Sequence, residues 1–413
     1  MTKFWSTKTH EEIKQVVFDA LKKNINYNER SVLGIPASHL DDKVFNQDDS
    51  FLDNAPYIST LIQNPNHIGC HTVGNSESFF AGSQAIEREL IEICAVDILK
   101  GDAGTFDGYV ASGGTEANIQ AVWIYRNYFV QQHGADFNEI TILCSADSHY
   151  SMDKAGNLLA LSVTKVPVNK HNRVVEQDAI QDTIETAKQG GKKYFIVVCN
   201  MMTTMFGSVD SIGNYTKALH DSKVQYKLHV DGAFGGFYYP FTEGNSNLNF
   251  ANEAVTSFTL DAHKMAQAPY GTGIFLIRKG LIQYATTQTA SYVDGEDCTL
   301  IGSRSGANAV AIWMILTKNG PYGWKEKVFV LQKRAEWLSS QLDTLGIEYY
   351  RHPRSNIITI RQQYVAKDIV GKFGLVPDNH HNPEWYKIVI MDHVTIDKLM
   401  PLVDALRQQL KGD

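Results

Sequence analysis

A lysine placed directly after a strand-like run is the first candidate for chemistry in this sequence. Lys264 ends the segment 257–264, SFTLDAHK, and His263 precedes it. A lysine amine can form an imine with an aldehyde when its surroundings favour the unprotonated form. A single lysine after a strand is more often a solvated surface charge. The chemistry of Lys264 therefore depends on what the rest of the chain places around it.

An aspartate occupies a similar place after a second apolar run. Residues 229–233 read HVDGA, so Asp231 stands at the carboxyl end of a predicted strand. Open α/β sheets bind their ligands at that end of their strands. A carboxylate there can pair with a cationic group of a ligand, or it can cap the turn that follows. Both interpretations fit Asp231 taken alone.

A glycine-rich turn precedes both segments. Residues 112–118 read SGGTEAN and follow a short predicted strand. Glycines let a backbone approach a ligand closely, and the free N–H groups at the start of a helix attract an anion. The turn lacks the Gly-Lys-Ser/Thr ending of nucleotide P-loops and the glycine spacing of dinucleotide-binding turns, which disfavours ATP and NAD. An ordinary capped strand-to-helix turn is the alternative.

Alternating strand and helix patterns must position these segments. Apolar runs predict strands, and apolar residues at helical spacing predict helices. The predicted strands include 109–111, 140–144, 165–168, 194–199 and 227–230, and the predicted helices are 84–100, 117–129, 152–161, 176–188 and 215–221. Strands that are apolar throughout and separated by helices indicate a mostly parallel sheet covered on both faces. The predicted fold class is therefore α/β.

The pattern changes after Arg304. A long helical stretch, 307–345, leads to the predicted strands 348–350, 356–361 and 387–391 and to a final amphipathic helix, 395–410. Helices with a few strands packed to one side predict a smaller α+β domain. We therefore place a large domain over 61–305 and a small C-terminal domain over 306–413.

Composition excludes several classes of protein. The chain has 413 residues, 43% hydrophobic and 20% charged, with a net charge of −7, which is typical of a globular protein. No cluster of Lys and Arg offsets the acidic excess, so neither a nucleic-acid nor a membrane partner is expected. The longest apolar runs, such as 194–199 and 309–316, are far shorter than the roughly 20 residues of a membrane-spanning helix.

The N-terminus and the cysteines predict a cellular location. Residues 1–12 carry charges where a secretory signal would be apolar. The five cysteines are an odd number without a CxxC pair, and Cys144 and Cys199 fall in strand-like apolar runs. Reduced, buried thiols of this kind predict a cytoplasmic protein.

Taken together, the motifs match the requirements of one cofactor. Along the chain come the glycine-rich turn, His149, Asp231, and the pair His263 and Lys264. Pyridoxal 5′-phosphate (PLP) requires a cradle for its phosphate, an aromatic group over its ring, an acid beside its pyridine nitrogen and an amine that forms an imine with its aldehyde. The motifs match these four requirements, so PLP is the predicted cofactor.

Six segments in this order resemble those of the fold-type I PLP enzymes, and within them the group II amino-acid decarboxylases. The segments are SGGTEAN (112–118), SHYS (148–151), TTMFGSVD (203–210), HVDGAFGGF (229–237), LDAHKM (260–265) and GSRSG (302–306). The resemblance implies a large domain with a mostly parallel seven-stranded sheet, a small C-terminal α+β domain and residues 1–60 as an N-terminal arm. It also implies a homodimer with shared active sites that converts an L-amino acid to its amine and carbon dioxide.

The resemblance assigns roles to individual residues. Lys264 would hold the cofactor as an imine, Asp231 would pair with the pyridinium nitrogen, and His149 and Ala233 would lie against the two ring faces. The residues expected near the phosphate, the ring or the neighbouring subunit are Gly114, Thr115, Thr203, Thr204, Ser257, His263, Ser303 and Arg304. Tyr292 resembles the loop tyrosine that protonates the substrate carbon after carbon dioxide leaves, and a packing role is its alternative.

The sequence departs from the family at two positions and leaves the substrate open. Met202 stands where many members have glycine, and Gly232 stands where alanine is common. Tyrosine or another aromatic amino acid is the first expectation for the substrate. Aspartate, glutamate and histidine are the alternatives.

Other activities remain possible with the same motifs. A carbon–carbon lyase of the sphingosine-phosphate type shares them, and an aminotransferase would use an arginine such as Arg351 or Arg354 to bind the substrate carboxylate. A non-catalytic PLP-binding protein is a third alternative, although storage alone needs no electron sink.

A metal site is not expected. His67 and His71 have the residue types of metal ligands. Gly69 and the nearby Pro65 argue against the regular helix that such a pair requires.

Overall fold

The structure of the protein is a computed structural model, which describes residues 2–24, 50–62, 71–73, 78–244, 246–286 and 296–412. Its helices are α1 (His10–Lys23), α2 (Pro56–Ile62), α3 (Ala81–Glu92), α4 (Gly114–His133), α5 (Ser151–Leu159), α6 (Gln177–Gln189), α7 (Ile212–Asp221), α8 (Gly306–Thr344), α9 (Lys367–Phe373) and α10 (Ile396–Gly412). Its strands are β1 (His71–Val73), β2 (Phe106–Ala111), β3 (Ile140–Ser145), β4 (Ser162–Val166), β5 (Tyr194–Asn200), β6 (Gln225–Gly232), β7 (Val255–Asp261), β8 (Gly273–Arg278), β9 (Glu296–Asp297), β10 (Tyr349–Tyr350), β11 (Ile357–Arg361), β12 (Val376–Pro377) and β13 (Trp385–Val389).

A seven-stranded sheet in the order β2-β8-β7-β6-β5-β3-β4 forms the centre of the large domain. Strand β8 runs antiparallel to both β2 and β7, and the remaining neighbours are parallel. The prediction of a mostly parallel seven-stranded sheet with a smaller α+β unit is confirmed. Because β2 and β7 both oppose β8, they share one direction, and the carboxyl ends of β2, β7, β6, β5 and β3 lie along one edge.

Alternate residues of the buried strands face two hydrophobic clusters. In β5, Phe195 and Val197 pack with residues of α3, α6, α7 and α8, whereas Ile196 and Val198 pack with residues of α4 and α5. Successive side chains of a strand point to opposite faces. A strand covered by helices on both sides must therefore be apolar throughout, which is the pattern that predicted this sheet.

Helix α8 connects the two domains and bends at one glycine. Gly320 has a φ of +65°, and Pro321 follows it. A left-handed φ suits glycine, and proline cannot continue the hydrogen bonding of the preceding turn. Beyond the bend, the small domain contains the antiparallel sheet β10-β11-β13-β12 with α9 and α10.

One carboxylate attaches the N-terminal residues to the large domain. Asp97 accepts hydrogen bonds from the backbone N–H groups of Lys3, Phe4 and Trp5 at 2.7, 2.9 and 2.5 Å. The indole N–H of Trp5 donates to the carbonyl of Leu316 in α8 at 2.7 Å. The N-terminal segment is therefore bonded both to the large domain and to α8.

Several element boundaries differ from those predicted. The strand expected at 165–168 begins earlier, as β4, and the helix expected over 84–100 is α3 followed by a π-helical turn, Ile93–Ile98. Strand β8 was not among the predicted strands. No helix within the described ranges combines the length and the apolar character needed to cross a bilayer.

Candidate active site

A cavity of about 330 Å³ opens at the carboxyl edge of the large sheet. The turns that follow β2, β3, β5, β6 and β7 form it, which is where an open α/β sheet binds its ligand. Nine of the predicted site residues line this cavity, namely Gly114, Thr115, His149, Thr203, Thr204, Asp231, Ala233, His263 and Lys264.

The glycine-rich turn begins α4 with backbone groups that face the cavity. The N–H of Gly114 donates to Oδ2 of Asp261 at 3.0 Å. The N–H groups of Thr115 and Glu116 have no hydrogen-bond partner among the described residues, and such free groups at a helix start bind anions. A Cβ on Gly114 would lie 3.0 Å from Cβ of Ala233, so glycine lets this turn lie close to the end of β6.

Asp231 is a buried carboxylate held by neutral donors. It is 6% exposed, and its Oδ1 accepts from the N–H of Ala233 at 3.1 Å while its Oδ2 accepts from Nδ2 of Asn118 at 2.8 Å. No Lys or Arg of the described ranges forms an ion pair with it. A buried carboxylate normally has a cationic partner. The end of β6 therefore presents a negative charge that a bound cation would balance.

Lys264 reaches the cavity beside another carboxylate. Its Nζ lies 3.8 Å from Oδ2 of Asp261. Nδ1 of His263 lies 2.8 Å from Oδ1 of Asp261, without hydrogen-bond geometry. Burial raises the pKa of Asp261, and the charges of Lys264 and His263 oppose that rise. The carboxylate of Asp261 therefore lies close to three groups of the cavity, namely the N–H of Gly114, the imidazole of His263 and the amine of Lys264.

His149 follows β3, and hydrogen bonds hold both its ring and the neighbouring Ser148. Its Nδ1 lies 2.9 Å from Oγ of Ser151, and burial lowers its pKa. Asn200 fixes the neighbouring Ser148, because its Nδ2 lies 2.9 Å from Oγ of Ser148. The N–H and Nδ2 of Asn200 both donate to Oδ2 of Asp210 at 2.7 Å, and burial raises the pKa of Asp210 to about 6.

The turn after β5 carries Thr203, Thr204 and Met202. Oγ1 of Thr203 lies 2.7 Å from Oγ of Ser208, which closes the turn. Met202 has a φ of +72° and is 4% exposed. Few residues other than glycine adopt this left-handed conformation. The departure at 202 therefore replaces an unstrained glycine with a strained, buried side chain that lines the cavity.

Three further predicted residues lie away from the cavity lining. Ser257 lies deeper in β7, where its Oγ is 2.7 Å from Nδ1 of His229 and accepts from the hydroxyl of Tyr125 at 2.5 Å. Arg304 is buried and donates to Glu87 at 2.5 Å, and Ser303 is exposed. Neither Ser257 nor Arg304 lines the cavity, and their expected places near the phosphate or the neighbouring subunit stay predictions.

Two predictions fall partly or wholly outside the described residues. Tyr292 lies outside them, and so does His67 of the histidine pair considered for a metal. Within the part of the chain that the structure describes, no group of three or more His, Cys, Asp or Glu side chains could hold a metal ion.

The structure adds four residues that sequence reasoning missed. Asn118, Asn200 and Asp261 line the cavity, and Nζ of Lys387, from the small domain, donates to the carbonyl of Thr204 at 3.0 Å. Two of them carried a detectable signal. Asp261 ends an apolar strand as Asp231 does, and Asn118 lies one helical turn after Gly114. Lys387 carried none, because its contact joins residues 183 positions apart.

The cavity has the groups that PLP requires. The buried Asp231, which forms no ion pair with a Lys or Arg of the described residues, suits a pyridinium nitrogen, and the N–H groups of Thr115 and Glu116, which have no partner among those residues, suit a phosphate. The amine of Lys264 lies in the same cavity and suits an aldehyde. The residues present therefore fit this cofactor.

Solved structures share this fold. L-Methionine decarboxylase from Streptomyces sp.590 superposes with a TM-score of 0.70 at 18% identity, covering 96% of this chain and 93% of that chain. Oryza sativa TDC with PLP and tryptamine superposes with a TM-score of 0.69 at 12% identity, covering 80% and 76%. The fold is therefore the one that the fold-type I PLP enzymes share.

Sequence relatives narrow this class. Residues 65–355 match the pyridoxal-dependent decarboxylase conserved domain. The chain is 50% identical to tryptophan decarboxylase of Clostridium sporogenes over 408 residues, 98% of each chain. It is 30% identical to a probable L-tyrosine/L-aspartate decarboxylase of Methanocella arvoryzae over 375 residues, 87% of this chain and 94% of the relative. The chain belongs to the pyridoxal-dependent decarboxylase family, and the predicted cofactor and carboxy-lyase reaction are confirmed.

Proposed function

We propose that this chain decarboxylates an aromatic L-amino acid, with tryptophan as the first candidate, and that Lys264, Asp231 and His149 carry the reaction. The observation that supports tryptophan is 50% identity to tryptophan decarboxylase over 98% of both chains. Tyrosine is the second candidate, because a 30% identical relative is named for tyrosine and aspartate.

Lys264 and Asp231 have different roles toward the cofactor. When bound, PLP supplies an aldehyde that forms imines with amines and a protonated ring that accepts the electron pair of the broken Cα–carboxylate bond. Lys264 would supply the amine that holds the cofactor. Asp231 would supply a fixed negative charge beside the ring nitrogen, which favours the protonated form of that nitrogen.

The remaining residues of the site would bind the phosphate of the cofactor and orient its ring. The free N–H groups of Thr115 and Glu116, with His263, would bind the phosphate at the start of α4. His149 and Ala233 would lie against the two faces of the ring. His149 is half-buried and its pKa is lowered, so it would present a neutral aromatic face. Tyr292, by its sequence resemblance, would return a proton to the substrate carbon.

A substrate panel tests the proposed reaction. Purified protein loaded with PLP is incubated with each of the twenty amino acids, and amine and carbon dioxide are measured. We expect one amine per carbon dioxide, with tryptophan giving the highest kcat/KM. Preference for aspartate, glutamate or histidine would overturn the aromatic assignment. Absence of carbon dioxide release from every amino acid would overturn the decarboxylase itself.

Two rival reactions give different products in the same assay. An aminotransferase would release keto acid, but both candidate arginines lie outside the cavity lining. Arg351 donates to the carbonyls of Pro353 and Ser355, and Arg354 donates to Oγ1 of Thr242 at 2.7 Å. A carbon–carbon lyase would release an aldehyde from a phosphorylated amino alcohol, which a parallel incubation with that substrate detects.

A homodimer belongs to the same proposal. Tyr150 and Tyr270, which lie next to His149 and near the cavity mouth, are 62% and 87% exposed. Large aromatic side chains at the rim of a site suit a subunit interface. Light scattering after size-exclusion chromatography tests this, and a fully active monomer would contradict it.

The buried thiols Cys94, Cys144, Cys199 and Cys298 are free, which supports a reducing cytoplasmic location that cell fractionation can test.

A further inference from the structure

Asn118 connects two of the residues expected to contact the cofactor ring, Asp231 directly and His149 through Ser151. It lies in α4 and is 1% exposed. Its Nδ2 donates to Oδ2 of Asp231 at 2.8 Å and to Oγ of Ser151 at 3.0 Å, and its Oδ1 lies 3.0 Å from Nε2 of His229. Every polar atom of this amide is therefore used within the protein.

The chemistry of the partners fixes which way the amide faces. An ionised carboxylate only accepts hydrogen bonds, so the NH₂ end of Asn118 must face Asp231 and the carbonyl end must face His229. Nε2 of His229 then carries the hydrogen. Burial lowers the pKa of His229 to about 4, so this imidazole is neutral, and its bare Nδ1 accepts from the hydroxyl of Ser257. The buried chain runs in one direction, from Ser257 through His229 and Asn118 to Asp231.

The second hydrogen of the same NH₂ group reaches the other face of the ring site. It goes to Oγ of Ser151, whose hydroxyl is then free to donate to Nδ1 of His149 at 2.9 Å. The backbone N–H of Ser151 also donates to that Nδ1, at 3.3 Å. Nδ1 of His149 is therefore an acceptor, which fixes the tautomer and orientation of the ring.

We propose that Asn118 is a positioning residue whose single amide group fixes the carboxylate of Asp231 and the ring of His149 relative to each other, and that His229 holds the carbonyl end of that amide in place. The inference rests on the proposed roles of Asp231 and His149. It assigns Asn118 and His229 to the PLP reaction although neither reacts with the substrate.

Two substitutions at 118 separate positioning from packing. Asn118→Asp keeps the volume but places a second acceptor against Asp231, whereas Asn118→Ala removes both volume and donors. Positioning predicts that the aspartate variant is the worse of the two, because adjacent carboxylates repel and the proton they then share weakens the negative charge of Asp231. Packing predicts the reverse. Asn127, also on α4, donates to the carbonyl of Tyr284 at 2.8 Å, so Asn127→Asp and Asn127→Ala are the matched controls.

The readouts are taken per bound cofactor. They are PLP affinity from a spectral titration, visible circular dichroism, which reports how the ring is oriented, and kcat and KM at saturating PLP. For Asn118→Ala we expect kcat to fall roughly tenfold to a hundredfold, the size expected for losing a hydrogen bond to a charged group. We also expect weaker circular dichroism, little change in KM, and wild-type values for both Asn127 variants.

A second pair of variants leaves Asn118 intact in case its substitutions prevent folding. His229→Gln keeps an N–H donor near the place of Nε2, and His229→Leu removes it. We expect the glutamine variant to retain most of the wild-type circular dichroism and kcat and the leucine variant to resemble Asn118→Ala. Equal behaviour of the two would overturn the proposal, as would an Asn118→Asp protein with at least the kcat of Asn118→Ala.

The wild-type measurements keep this inference separate from the proposed function. A wild-type protein that binds no PLP or releases no carbon dioxide refutes the proposed roles of Asp231 and His149. An active wild type whose Asn118 variants keep wild-type circular dichroism per bound cofactor refutes only the positioning role.

Discussion

The strained backbone at Met202 leads to a prediction in which glycine stabilises the protein relative to alanine. Met202 is buried in the cavity wall at a φ of +72°. We compare Met202→Gly with Met202→Ala. Both variants lose the same thioether side chain, which costs about 2–5 kcal/mol at a buried site, so this large contribution nearly cancels between them.

The remaining difference comes from the backbone. An L-residue in the left-handed region is less stable by about 1–2 kcal/mol, and glycine escapes this cost. Against this, the glycine variant is less stable than the alanine variant by about 0.4–1 kcal/mol, because its unfolded chain has more conformational freedom to lose on folding. Met202→Gly should therefore be about 1 kcal/mol more stable than Met202→Ala. In an ordinary helix the order reverses, so Ala218→Gly in α7 should cost about 1 kcal/mol.

Urea unfolding of the PLP-loaded proteins measures these differences. Ala160 has a φ of +56° and is exposed at the end of α5, so Ala160→Gly is the positive control and should stabilise the protein. If Met202→Ala proves as stable as Met202→Gly while both alanine-to-glycine controls behave as expected, the backbone at 202 is not strained and the reasoning is refuted.

Three other predictions test the site and its surroundings. Lys264→Ala should abolish both turnover and the imine absorbance of the PLP-loaded protein, and retention of both would remove Lys264 from its role. Burial raises the pKa of Asp210 to about 6, above its ordinary 3.8, so the folded protein binds this proton more tightly and loses stability as the pH rises through that window. The stability of Asp210→Asn relative to wild type should thus increase by about 1 kcal/mol between pH 5 and pH 7; an unchanged difference in urea midpoints would contradict it. Tyr292→Phe should lower kcat with little change in KM or PLP affinity, as steady-state kinetics and a spectral titration can show, and a wild-type kcat would exclude it as the proton donor.

The sequence predicted the parts of the fold that depend on local pattern. Continuous apolar runs identified most strands of the large sheet, and the run of motifs identified the strand ends that carry Asp231 and Lys264. It did not predict β8, although residues 274–277 form a short apolar run, and it could not predict that β8 is antiparallel, because strand direction depends on which neighbours a strand finds in the sheet. It also placed β4 late, because the residues of β4 are only half-buried and lack a continuous apolar signal.

Two of the expected site residues lie away from the cavity lining for geometric reasons. Ser257 lies four residues before Asp261 in β7, which at about 3.3 Å per residue puts it roughly 13 Å below the edge where the cavity opens. Arg304 is neutralised by Glu87, 217 residues away in sequence, and no local pattern reveals such a pairing. The presence of a residue in a family motif therefore did not show whether its side chain lines the cavity or lies away from it.

The reversed strand β8 also affects the order in which the protein is completed during synthesis. It lies between β2, which carries the glycine-rich turn, and β7, which leads to Lys264. A Cβ on Gly273 would lie 2.5 Å from the backbone of Gly113, so the first residue of β8 lies directly against that turn. A nascent chain that ends just after Lys264 already contains the amine, the carboxylate and the imidazole. The sheet cannot be continuous from β2 to β7 until residues 273–278 have left the ribosome, because β8 hydrogen-bonds to both.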